Sequence, residues 1–161
     1  VAFMRFRIAL SFLLLLLVAC GPDKKQPKMT EQEIQQEYDF RAALQSYKIG
    51  INHINNQEIG QGIQHLETAV RLDDGNFRYR HGLGLGYSLS GQFEEALEQL
   101  KIAVRINPQD TESYNLMGSI HTEQGNYAEA EAAFRKVLQD KSYGQPQFAY
   151  FNLGLNYRKQ D

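Results

Sequence analysis

Apolar residues in "EEALEQLKIAVRI" fall at Ala96, Leu97, Leu100, Ala103 and Val104, three and four positions apart. That spacing is the stripe of a helix burying one face. No stretch alternates with period two over a useful length, so strands are not expected. Pro108 follows the helix predicted to end near Ile106, as stop signals do. Thr30 with Glu33 fits a capping box, so a helix starts there and runs on into the first periodic stretch. The pattern then recurs. With Gly91 placed under Gly125, an offset of 34, Gly84 meets Gly118, Phe93 meets Tyr127, Ala96 meets Ala130 and Leu100 meets Phe134. One step back, Gly50, Ile59, Gly62, Leu66 and Ala69 take the corresponding places. Three units follow, 43–76, 77–110 and 111–144, and a partial fourth, 147–161, comes after a two-residue insertion containing Pro146. A helix-interior glycine costs about 1 kcal/mol against alanine. Its recurrence at Gly50, Gly84, Gly118 and Gly154 therefore implies close helix approach.

These residues resemble the tetratricopeptide repeat, a helix–turn–helix unit. The middle unit carries the match at Leu83, Gly84, Tyr87, Gly91, Phe93, Ala96, Ala103 and Pro108. The first unit departs at Gly62, where alanine is expected, and at Asp74, where proline is expected; the third has Ser142 in place of the closing proline. The resemblance implies an all-α fold of tandem helix-turn-helix units stacked into a short right-handed superhelix.

The N-terminus reads differently. Arg5 and Arg7 precede an apolar run from Ile8 to Ala19, closed by Cys20-Gly21-Pro22. About a dozen residues make roughly 18 Å of helix, too short for a hydrocarbon core of ~30 Å. A positive start, a short apolar core and small residues at the exit describe a secretory signal over 1–19. Leu17-Val18-Ala19-Cys20 resembles the lipobox of bacterial lipoproteins, which implies cleavage before Cys20 and its lipidation. Cys20 is then a membrane tether rather than a nucleophile, with 20–29 a Pro/Lys-rich stalk of at most ~35 Å. Gly21 rather than Asp after the cysteine points, within that resemblance, to the outer membrane facing the periplasm.

The whole chain of 161 residues has 17 Lys+Arg and 19 Asp+Glu, a net charge of −2. That balance argues against a nucleic-acid partner. Loss of Arg5 and Arg7 on cleavage would take the charge to −4, so anionic lipid is no second anchor. One cysteine excludes an intrachain disulfide framework and a Cys-based metal cluster.

Little else looks like chemistry. His53 and His121 stand where Tyr87 and Tyr157 stand in other units, with no ligand pair nearby, so no metal site is expected. "GLGLGYSLSG" from Gly82 to Gly91 has no preceding strand and no following Lys, and Ser88 has no base partner; helix packing explains it. Glu94, Glu95, Glu98, Glu129 and Glu131 fall on expected solvated faces. Neither enzyme activity nor a cofactor is predicted.

In the repeat family the first helices line a groove for an extended or helical peptide. Carried over, that implies Tyr47 and Ile51; Arg78, His81, Leu85 and Ser88; Glu112, Asn115, Ser119 and Thr122; and Phe148, Phe151, Leu155 and Arg158. Tyr47 and Ile51 replace the carboxylate-gripping residues of chaperone-binding relatives, which disfavours a chaperone tail. The final helix is apolar nearly all round, so either further repeats follow or another molecule covers it; the first is favoured. The signal, the stalk, the repeats and "DKSYGQPQFAYFNLG" together resemble the type IV pilus biogenesis and stability (pilotin-like) lipoproteins. That implies a protein or peptide partner, a secretin subunit, held near the membrane by the lipid on Cys20. The alternative is a general periplasmic scaffold that recruits cell-wall or other envelope enzymes.

Overall fold

The computed structural model describes residues 29–160, and backbone contacts divide the chain into two units after Gln35. In the first unit lies the opening turn of α1 (Glu31–Asn55). There the Thr30 hydroxyl oxygen accepts the Glu33 N–H at 3.2 Å, and the Glu33 carboxylate accepts the Thr30 N–H at 2.7 Å. The capping box predicted from these two residues is formed, and its hydrogen bonds hold the Glu33 carboxyl below its ordinary pKa.

The second unit runs from Gln36. It holds the rest of α1, then α2 (Ile59–Leu72), α3 (Phe77–Leu89), α4 (Phe93–Ile106), α5 (Thr111–Glu123), α6 (Tyr127–Gln139) and α7 (Pro146–Arg158). All regular structure among the described residues is helical, as the periodicity predicted. Helices α2, α4 and α6 begin 34 residues apart, at Ile59, Phe93 and Tyr127. Neighbours in sequence pack together from α2 to α7, and the first helices of the hairpins also touch, α3 against α5 and α5 against α7.

One turn joins the helices of each hairpin. Glu58, Gln92 and Asn126 donate their N–H groups to the carbonyls of His53, Tyr87 and His121 at 2.9, 2.9 and 2.8 Å. The residue before each donor is left-handed, with φ +78° at Gly91 and +75° at Gly125. This is the glycine-capped helix end that satisfies orphan carbonyls. In the first hairpin the same place is taken by Gln57 at φ 64°. A side chain there costs roughly 1 kcal/mol or more.

The recurring glycines form the seam inside each hairpin. A Cβ on Gly50 would lie 2.7 Å from Leu66 Cγ, on Gly84 2.8 Å from Leu100 Cγ, and on Gly118 2.5 Å from Phe134 Cε1. Those three partners are fully buried, and burial of each stabilises by about 1.5–3 kcal/mol. Gly154 differs from the expectation: nothing lies within 4 Å of its Cβ position, and the residue is exposed.

The departures from the repeat pattern have local causes. A Cβ on Gly62 would meet Ile54 Cδ1 at 2.7 Å and the Gly50 carbonyl at 3.0 Å. The equivalents of Ile54 are the smaller Ser88 and Thr122, which leave room for Ala96 and Ala130. The missing methyl at Gly62 is thus offset by a larger side chain across the hairpin. Without a proline at Asp74, α2 still ends at Leu72, and Asn76 caps α3 by accepting the Arg78 N–H at 3.1 Å. Near Ser142, Asp140 accepts both the Ser142 N–H and its hydroxyl, at 2.8 and 2.6 Å, which lowers the Asp140 pKa.

Among the described residues one apolar cluster lies around Leu66, Ala69, Tyr79 and Leu83 and another around Ala96, Leu97, Leu100 and Ile120, while Ala130, Ala133, Phe134 and Val137 are buried in the third unit. Tyr87 packs against both clusters. Its phenol donates to Glu67 at 2.8 Å, and burial together with that bond pushes its pKa up to about 12.

Candidate functional site

The predicted groove residues divide into those that pack and those that stay available. Tyr47, Ile51 and Leu85 are half-buried against the first apolar cluster. The Tyr47 ring tilts on Tyr79 with centroids 5.0 Å apart. Burial raises the Tyr47 pKa, with Arg78 pulling it down and Glu112 up. Arg78 is exposed, its guanidinium carbon 5.7 Å from the Phe77 ring centroid. A cleft of about 550 Å3 lies here, lined by Tyr47, Arg78, His81, Gln109, Asp110 and Glu112 among others.

A buried relay supports this cleft. Asp110 caps α5, accepting the Ser113 N–H at 3.4 Å. The same carboxylate lies 2.5 Å from the Ser113 hydroxyl. Ser113 Oγ is in turn 3.0 Å from Nδ1 of His81, on α3. Ser113 is wholly buried and Asp110 nearly so. On the other side of the imidazole, Nε2 is 3.9 Å from a carboxylate oxygen of the exposed Glu112. The repeat spacing singled out His81 and Glu112 but gave no sign of Asp110 and Ser113. The signal that could have found them is the helix-start pattern Asp-x-x-Ser before α5.

Along α5 and α7 the residues are more engaged than expected. Asn115 Oδ1 accepts from Asn152 Nδ2 at 3.0 Å, and the Ser119 hydroxyl donates to the Asn115 carbonyl at 3.1 Å. Thr122 is buried, its hydroxyl 2.9 Å from the Gly118 carbonyl and 3.1 Å from Asn156 Oδ1. Asn156 is fully buried and donates to the Tyr127 carbonyl at 3.0 Å. Thr122 therefore packs inside the joint between α5 and α7 rather than lining a free groove. The seam between the third and fourth units is polar there, because Asn152 and Asn156 stand one helical turn apart within an otherwise apolar α7. Phe148 and Phe151 are exposed, Leu155 and Ser88 half-buried and Arg158 exposed.

Two of the histidines pair and the other two stand apart. His53 Nδ1 meets the Glu58 carboxylate, and its ring stacks on His65 at 5.4 Å. His121 has a buried Nδ1 with no hydrogen-bond partner among the described residues; burial lowers its pKa, with Glu129 opposing. No group of three His, Cys, Asp or Glu residues able to hold a metal is found among the described residues. The glycines of "GLGLGYSLSG" sit inside α3 and at its end, with Gly82 close to Tyr47 and Leu66, and Gly86 close to Ile63. Cys20 and most of the predicted stalk lie outside the described residues. No described helix is long and apolar enough to cross a membrane.

Residues 82–145 match the family model of the tetratricopeptide repeat. Superkiller protein 3 of Saccharomyces cerevisiae is 26% identical over 107 residues, 66% of this chain but 7% of that protein. The chain thus spans a small fraction of the curated relatives it matches. Among solved structures, the first tetratricopeptide domain of Spaghetti (RPAP3), bound to the HSP90 peptide SRMEEVD, superposes with a TM-score of 0.70 at 17% identity, covering 75% of this chain and 94% of that one. A Pseudomonas aeruginosa pilF structure gives a TM-score of 0.70 at 20% identity, covering 76% of this chain and 55% of that one. The all-α superhelical repeat fold is the one these structures share.

Proposed function

We propose that this chain of tetratricopeptide repeats is a lipid-anchored adaptor of the bacterial envelope. It binds a protein segment along its first helices and assists assembly of the type IV pilus secretin. The observation that carries the reading is the set of first-helix side chains left open to solvent, Arg78, Glu112, Phe148 and Phe151, beside half-buried His81. Such a surface offers charged and aromatic contacts. The peptide held by RPAP3 supports the binding mode, and the fold likeness to pilF supports the pilus assignment. Lipid on Cys20 would confine the groove to the membrane and raise its effective concentration for a membrane-bound partner.

The test is deletion in the native host. Loss of secretin multimers and of twitching is expected, restored by the wild-type gene and not by Phe148→Asp/Phe151→Asp at equal protein level. A Cys20→Ala variant should leave the membrane fraction and lose lipid labelling. Unchanged secretin multimers would overturn the pilus reading, and altered cell shape in the same strain would favour the envelope-scaffold alternative.

A further inference from the structure

The cleft between α1, α3 and α5 has a defined hydrogen-bonding polarity. An ionised carboxylate only accepts, so the Ser113 hydroxyl proton goes to Asp110, 2.5 Å away. Ser113 Oγ is then left as the acceptor for His81 Nδ1 at 3.0 Å. The neutral imidazole therefore carries its hydrogen on Nδ1 and keeps a lone pair on Nε2. That lone pair stands 3.9 Å from a Glu112 carboxylate oxygen. Two acceptors side by side have no hydrogen to share between them. A single nitrogen bearing at least two hydrogens can satisfy both.

We propose that His81 Nε2 and the Glu112 carboxylate form a paired acceptor that takes the cationic head of a lysine or arginine on the bound partner. The charges lining the cleft agree. Asp110 and Glu112 are negative, and the one cation, Arg78, forms no ion pair with either among the described residues. Tyr47 offers a phenol whose ionisation is suppressed by burial. The site thus differs in sign from one that grips an acidic tail. The proposal rests on the groove reading above and names the chemistry of one of its positions. The buried Asp110–Ser113 pair is a positioning device, since it acts only through the imidazole.

The experiment uses the purified full chain in detergent micelles, with 15N-labelled histidine and His81→Phe to assign the signal. At a pH where the nitrogen shifts themselves show a neutral ring, His81 is expected as the Nδ1–H tautomer. N-acetyl-L-arginine amide should then shift the Nε2 resonance saturably. N-acetyl-L-citrulline amide, the same shape without charge, and N-acetyl-L-glutamate amide should not. Glu112→Gln should weaken arginine binding by up to about five-fold, the upper end for an exposed ion pair. An Nε2–H tautomer in the free protein, or equal response to arginine and citrulline, overturns the proposal. Both readouts are made without a secretin or a pilus, so their failure is distinct from failure of the cellular reading.

Discussion

Alanine at Gly118 and alanine at Gly154 are the same substitution at equivalent repeat positions, and the structure assigns them opposite signs. At Gly118 a Cβ would sit 2.5, 2.7 and 2.7 Å from Cε1, Cδ1 and Cζ of Phe134. Phe134 is 1% exposed, so any shift of its ring takes place inside the core. Overpacking of this kind costs about 1–3 kcal/mol, while alanine returns about 1 kcal/mol of helix propensity. The net is a loss of up to roughly 2 kcal/mol. At Gly154 nothing lies within 4 Å, so only the propensity term remains and the variant gains up to ~1 kcal/mol. Urea unfolding followed by helical circular dichroism reads both, as shifts of midpoint in opposite directions. A Gly118→Ala/Phe134→Leu double variant should recover part of the loss, because the shorter side chain vacates the ring's place. If Gly118→Ala is stabilising, or if the two alanines behave alike, the glycine seam does not set helix approach and the packing argument fails.

Three further outcomes follow from the same geometry. Gln57→Gly should raise stability by up to ~1 kcal/mol in the same urea assay, since it removes a side chain from a left-handed turn that the other hairpins build with glycine. Asn156→Ala should lower it by about 1–3 kcal/mol, because the buried Thr122 hydroxyl loses an acceptor and the Tyr127 carbonyl a side-chain donor. His121 is held below its ordinary pKa of 6.5 chiefly by burial, so the unfolded chain takes up the proton first. Its contribution is therefore intact above about pH 6.5 and is lost as the pH falls through the depressed folded value; the fall in thermal midpoint on acidification should be smaller in His121→Tyr than in the wild type.

Helix placement was legible because burial alternates with the period that the apolar residues mark: Leu66, Leu100 and Phe134 are all interior, each opposite its glycine. The turn glycines at 91 and 125 were legible for a related reason, since few other residues tolerate that backbone. Gln57 escaped notice because a tolerated strain leaves no pattern. Individual groove residues were harder to read. Position in the repeat puts Thr122 on the same face as Ser88, but whether a hydroxyl there is free depends on what α7 brings across, and α7 brings Asn156. The Asp110–Ser113–His81 relay joins residues from two repeats, so no local window contains it.

The fit of Ile54 against Gly62 has a consequence for modular design. The larger side chain on one strut of the hairpin fills the space left by the smaller residue on the other, so the two sites act as one packing unit. A recombination breakpoint falling between them would pair isoleucine with alanine and jam the joint, or pair serine with glycine and leave it hollow. Shuffled or consensus-built arrays derived from this chain should therefore be cut only outside the hairpin, where each module carries its own complement.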